Sequence, residues 1–158
     1  MANFCANYLQ IIGTDSNKIE IFQNLITNYN NKTNLGLLLE TKTTSEVIFD
    51  VYINDDNRID FLTKYTTNIE LFKELSELFP TLTIKLEYME LGYDVFGKAT
   101  FENGTVKHKQ LTESDFELVT EITDNNLDVE IYVYNDFESE SREEVIEYLF
   151  EDLYNEFV

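Results

Sequence analysis

Residues 82–90 read Leu-Thr-Ile-Lys-Leu-Glu-Tyr-Met-Glu, and the side chains change character at almost every step. Leu82, Ile84, Leu86 and Tyr88 share one parity; Thr83, Lys85 and Glu87 share the other. A period of two belongs to an extended strand, whose successive side chains leave opposite faces. On a helix the same spacing would scatter the apolar groups around the surface and leave no face to bury. Such a strand needs a sheet that is covered on one side. The pattern recurs at residues 4–12, where Cys5, Asn7, Leu9 and Ile11 alternate with Phe4, Tyr8 and Ile12, and at 46–54 through Val47, Phe49, Val51 and Ile53. Asn54-Asp55-Asp56-Asn57 is a turn, and residues 58–65 form the returning strand. Residues 94–102 and 105–111 flank Asn103-Gly104, a strong signal for a two-residue hairpin.

Two helical periods interrupt these strands. Asp15 or Ser16 caps a helix running to about Tyr29, with Ile19, Phe22, Leu25 and Ile26 on one face. Thr67 or Asn68 caps a second, with Ile69, Phe72, Leu75 and Leu78 or Phe79 inward and Pro80 at its end. Residues 28–34 are an Asn-rich loop, and the short apolar stretch 35–40 fits no one element. The order β-α-β-β-α-β is that of the ferredoxin-like α+β fold, an antiparallel sheet with helices over one face, here extended by a β-hairpin. The side holding Cys5, Asn7, Leu9 and Ile11 should lie beneath the helices. The opposite side carries Phe4, Tyr8, Ile12, Ile48, Tyr52, Leu62 and Met89 among Asp50, Asp60, Lys64, Lys85 and Glu87. That mixture is too apolar to stand wholly in water.

Charge divides the chain. With 31 acidic and 11 basic residues the net charge is −20. Residues 1–112 hold 15 acidic and 10 basic residues, whereas 113–158 hold 16 acidic residues and a single cation, Arg142. Acidity that served solubility alone would not need this polarity. The expected organisation is a ferredoxin-like domain over 1–112 and an acidic strand–helix appendage over 113–158, packed on the same domain. A surface of this sign binds neither phosphates nor an anionic membrane unaided, and suits a basic partner.

Within the acidic segment, residues 127–134 read as a strand, apolar at Leu127, Val129, Ile131 and Val133, with Asp128, Glu130, Tyr132, Tyr134 and Asp136 turned away. Residues 139–157 read as a helix capped by Ser139 or Ser141, with Ile146, Leu149, Phe150, Leu153 and Phe157 as its apolar stripe. Opposite that stripe Glu140, Glu144, Glu147 and Glu151 fall in a narrow arc, with carboxylates about 5–6 Å apart at Cβ. That spacing is comparable with successive phosphates on a nucleic acid strand. Residues 113–123 fit either a strand through Phe116, Leu118 and Ile122 or a helix capped by Thr112 with Asp115.

Two stretches carry a family resemblance. Met1, Asn3, Cys5, Asn7, Leu9, Ile11 and Gly13 form a spaced pattern, and Phe79-Pro-Thr-Leu-Thr-Ile-Lys-Leu-Glu-Tyr-Met-Glu-Leu-Gly-Tyr-Asp-Val-Phe-Gly-Lys-Ala-Thr-Phe-Glu-Asn-Gly104 contains a strand, a glycine turn and a glycine-spaced hairpin. Together they resemble the YubB-like ferredoxin-domain proteins of phages and conjugative plasmids, over roughly residues 1–104. Phe4 stands where that family usually has Trp, and Lys64-Tyr65-Thr66-Thr67 stands where it has a Trp-Pro-Pro-like segment. The resemblance implies the fold and a mobile-element origin. It implies no activity and carries no site residues over. The bias toward Asn, Lys, Ile, Phe and Tyr, with three Ala and no Trp, fits a low-GC bacterial host or an element living in one.

Catalytic signals are sparse. Cys5 is the sole cysteine, lies on the expected buried face and reads as packing, since a buried free cysteine behaves as a small hydrophobe. His108, the sole histidine, reads as a surface residue of the hairpin, out of reach of Cys5. The stretch 54–60 lacks the glycine of a calcium loop. Phosphate-binding glycine loops, nucleophile elbows and zinc spacings are absent. The reading is therefore not an enzyme, with no cofactor or metal. It is a non-catalytic inhibitor from a phage or mobile element, of the anti-CRISPR or antirestriction type, acting in the cytoplasm of a bacterial host. The partner would be a basic host protein such as a CRISPR effector or restriction enzyme. The surface would be Glu140, Glu144, Glu147, Glu151, Asp128, Glu130, Tyr132, Tyr134 and Asp136. The alternative is an interaction module or homodimer that uses the half-apolar sheet face.

Overall fold

A computed structural model describes residues 4–27 and 48–157. The Asn-rich loop, the unassigned stretch 35–40 and Val47 lie outside the described residues. The chain divides into two compact units, Met1–His108 and Lys109–Val158.

The first unit opens with β1 (Phe4–Ile12), α1 (Ser16–Thr27), β2 (Phe49–Ile53), β3 (Arg58–Lys64), α2 (Ile69–Leu78) and β4 (Thr83–Glu90). A 3-10 turn, Leu91–Tyr93, leads into the hairpin β5 (Val95–Glu102) and β6 (Thr105–Gln110), along which the chain passes into the second unit. The six strands order as β2-β3-β1-β4-β5-β6, the ferredoxin-like arrangement with the hairpin added at the β4 edge. The hairpin turn is the expected one: Asn103 and Gly104 both have positive φ, 44° and 78°.

Alternation places the core as expected on one face. Cys5, Leu9, Ile11, Ile59, Phe61, Ile84, Leu86, Tyr88, Ala99 and Phe101 are buried there with Ile19, Phe22, Leu25 and Ile26 of α1. From α2 come Leu71, Phe72 and Leu75, and Phe79 follows; Leu78 is exposed. Asn68 caps α2, its side chain accepting from the Leu71 amide at 3.1 Å. Phe72 is the centre of an aromatic group, 5.8 Å from Phe61 and 6.0 Å from Phe101 between ring centroids.

One face assignment fails. Ile48 was expected on the open side of the sheet, yet it is buried in the helix-side core. The register of β2 against β3 shifts between Phe49 and Tyr52, and Asp50 sits at φ 49°. This bulge adds one residue, so parity flips: Ile48 before it and Val51 after it share the core side.

The second unit contains a one-turn helix α3 (Glu113–Phe116), strands β7 (Thr120–Asp124), β8 (Val129–Tyr134) and β9 (Phe137–Ser139), helix α4 (Arg142–Leu153) and a 3-10 turn, Asn155–Phe157. The strands form an antiparallel meander, β7-β8-β9, with α4 packed on β8 and β9. Residues 113–123 thus use both alternatives. Thr112 and Asp115 close a reciprocal capping box around α3, and a strand follows. No helix among the described residues is long and apolar enough to cross a membrane.

Candidate functional site

The acidic segment begins with an energetic problem. α4 carries Glu143 and Glu144 in its first turn, where the helix dipole favours them, but Glu151 and Asp152 in its last, where it does not. Local bonds offset this. Ser141 caps the helix by accepting from the Glu144 amide at 3.4 Å. The Ser139 hydroxyl donates to Glu144 Oε2 at 2.6 Å and accepts from the Ser141 amide at 3.0 Å. At the other end, the Tyr134 hydroxyl donates to Asp152 Oδ2 at 2.6 Å.

These contacts redraw the expected surface. Glu140 precedes the Ser141 cap, outside the helix, because residues 137–139 pair as β9 instead of starting the helix. The helical arc is therefore Glu144, Glu147 and Glu151, of which Glu147 is only half-exposed. Asp128 sits in the β7–β8 turn at φ 53°, and Asp136 in the β8–β9 turn, so neither is on the strand face. Tyr134 is buried. Its register partner is Phe137, and Tyr148 of α4 stacks on Phe137 at 4.7 Å and meets Tyr134 edge-on at 6.1 Å. The bulk of three rings outweighs the alternation of smaller groups. α4 accordingly covers the Tyr134 side of the sheet. Val129, Ile131 and Val133, the apolar side of the strand, point the other way and are half-buried, with Ile122 exposed beside them.

Glu130 and Tyr132 remain accessible on the helix side of β8. The Tyr132 hydroxyl donates to Glu130 Oε2 at 3.1 Å, which raises its pKa. The Tyr134 pKa rises through its bond to Asp152. Both phenols are neutral donors to carboxylates, so they tie acidic groups in place. Of the 16 acidic residues in Lys109–Val158, 13 are exposed, against two basic residues, Lys109 and Arg142. The guanidinium of Arg142 lies 5.8 Å from the ring centroid of Phe116.

A second polar cluster lies inside the first unit. Asn7 is fully buried, its amide donating to the Cys5 carbonyl at 2.9 Å and to Thr63 Oγ1 at 2.8 Å. Thr63 passes the bond on to the Thr66 carbonyl at 2.7 Å. Cys5 is core, and burial pushes its thiol up to about 12. A thiol so held stays protonated at neutral pH and is a poor nucleophile.

His108 is exposed on the hairpin strand β6, as expected, and it also has a buried partner. Its Nε2 lies 2.6 Å from the hydroxyl of fully buried Tyr88. Burial raises the Tyr88 pKa and lowers that of His108, so the phenol donates and a neutral imidazole accepts. The sequence signal for this pair is Gly97, mid-strand on β5 and directly across from Tyr88. Because the folded His108 pKa is depressed, its contribution to stability is complete above the ordinary value near 6.5. It is lost as pH falls from there through the folded value, since the unfolded chain takes the proton first. Urea titrations of wild type and His108→Gln should therefore diverge above pH 6.5 and converge on acidification. Parallel pH profiles would remove this role.

Among the described residues no three His, Cys, Asp or Glu side chains gather as a metal site. A family model described as the ferredoxin-like domain in Api92-like protein matches residues 48–145. The matched span runs from β2 into α4, so it includes much of the acidic segment that the YubB-like pattern left out. No curated protein and no solved structure matches.

Proposed function

We propose, for a chain that belongs to the family of the ferredoxin-like domain in Api92-like protein, a role as a non-catalytic inhibitor of a nucleic-acid-binding host defence protein. A phage or plasmid origin of the YubB-like kind belongs to the same reading. The observation that carries it is the second unit. Thirteen exposed carboxylates stand on one small sheet-and-helix platform of residues 109–158 with two cations. Capping, tyrosine bonds and ring packing hold part of that array in fixed positions. A fixed carboxylate array can replace phosphates in a positive channel, where it gains from complementarity and counterion release as nucleic acid does. The contact surface is Glu130, Tyr132, Glu140, Glu143, Glu144 and Glu151, with Asp128 and Asp136 at the turns.

The test uses a panel of CRISPR effectors and restriction nucleases in DNA-binding competition. Wild type is expected to displace DNA from at least one, with affinity that falls steeply between 50 and 200 mM salt, roughly tenfold or more. Glu140→Lys, Glu143→Lys and Glu151→Lys together, all at exposed positions, should weaken displacement at least about 100-fold. Displacement by the triple variant at wild-type strength, or none by wild type across the panel, overturns the proposal.

A further inference from the structure

The net charge of −20 describes the surface as a whole, but the cations of the first unit are not spread over it. Seven basic residues are described in Met1–His108. Lys18 and Lys73 are on helices. Arg58, Lys64, Lys85 and Lys98 lie on the sheet face away from the helices, and strand alternation puts Lys107 there too.

Strand register orders this face into rows. One row runs Tyr52, Asp60, Tyr8, Glu87, Lys98 across five strands; the next runs Arg58, Gln10, Lys85, Thr100. Within them the acids are matched by bases: Asp60 is 2.7 Å from Arg58, and Glu87 is 3.5 Å from Lys98. Lys64, Lys85 and Lys107 stand exposed beside them. On the β1–β3–β2 part of this face aromatic side chains reach solvent, Tyr52 at 65% and Phe4 at 46% exposure, whereas Phe96 and Met89 on β5 and β4 are buried. Tyr8 carries the Arg58 guanidinium 4.7 Å above its ring. Tyr52 and Tyr8 are two strands apart, roughly 10 Å, and Phe4 is four residues from Tyr8, roughly 13 Å.

We propose that the exposed part of this sheet face binds single-stranded nucleic acid, with bases stacking on Tyr52, Phe4 and the Arg58–Tyr8 pair and phosphates meeting Lys64, Lys85 and Lys107. Separated flat rings interleaved with cations suit a polyanion that carries its own rings. A second copy is the poorer occupant, because protein interfaces deplete charge at their centre and this face is charged there. The acidic residues of Lys109–Val158 do not forbid it. At 0.1 M salt the screening length is about 10 Å, so local cations govern the encounter.

The experiment is fluorescence anisotropy of the full chain with labelled 12-nucleotide DNA and RNA strands, and with the matching duplexes. Single strands should bind at least about tenfold tighter than duplexes, which keep their base faces stacked. Tyr52→Ala should weaken binding about 5- to 100-fold, while Tyr52→Phe restores it. Three phosphate contacts predict a log–log salt slope near about −2. Glu140→Lys, Glu143→Lys and Glu151→Lys should leave single-strand binding unimpaired, so failure here is separable from failure of the inhibitor reading. Equal binding to duplex, no saturable binding, or an unaffected Tyr52→Ala variant overturns the proposal. So does a dimer in sedimentation that Tyr52→Ala dissolves, which assigns the face to a second copy.

Discussion

Gly97→Val should destabilise the first unit by about 3 kcal/mol, at the upper end of what overpacking costs. An ideal Cβ on Gly97 would lie 2.5 Å from Tyr88 Cζ and 2.8 Å from Cε1, distances that real Cβ atoms do not reach. The ring has nowhere to go. It is fully buried, and its hydroxyl is bonded to His108 on the next strand but one. Either the sheet opens locally or the phenol leaves its partner, and both lose stability. Urea unfolding reads the loss directly. Combining the substitution with Tyr88→Leu should recover part of it, a coupling that independent sites do not show. A Gly97→Val protein within 0.5 kcal/mol of wild type would mean that the Tyr88 ring has room it does not show.

Phe150→Ala is expected to cost about 3–5 kcal/mol, the range for a fully buried aromatic truncated to a methyl. Phe150 packs against Tyr154 at 5.1 Å and Phe157 at 6.2 Å, and so holds the chain that follows α4. Beside the Tyr134–Asp152 bond, the last turn of the helix holds Glu151 and Asp152 and no cation to offset the dipole, so ring packing weighs heavily there. Amide hydrogen exchange should show protection lost through α4, while Phe4–Ile12 and Thr83–Glu90 keep theirs. If the carboxylate array must be held in place to act, the same variant should also lose DNA displacement. Unchanged protection in α4 would refute the packing argument.

Much of this architecture was legible from period and capping. β1, all four inward residues of α1, the Asn68 cap, the Asn103-Gly104 turn and the Thr112 capping box follow from local rules that packing did not override. The misses have physical causes. The bulge at Asp50 flips parity with no glycine to announce it, and Ile48 goes to the core. Tyr134 is polar-tipped and sits among charges, so alternation turned it outward; three aromatic rings decided otherwise. Glu140 was read into a helix because its spacing fits, but a three-residue strand, too short to show a period, ends just before it. The candidate surface thus kept its charge and lost part of its geometry. The Tyr88–His108 bond joins residues twenty apart, and only the missing side chain of Gly97 hinted at it.

The placement of Cys5 has a practical consequence. It is the only cysteine, fully buried beneath the helices, with its thiol held protonated. A thiol-labelling reagent can reach it only when the sheet opens. Its labelling rate in native buffer is then a clock for that opening, converted to a free energy by comparison with the unfolded chain. A molecule without disulfide chemistry of its own thereby carries a built-in gauge of its stability, placed where no surface event can trip it.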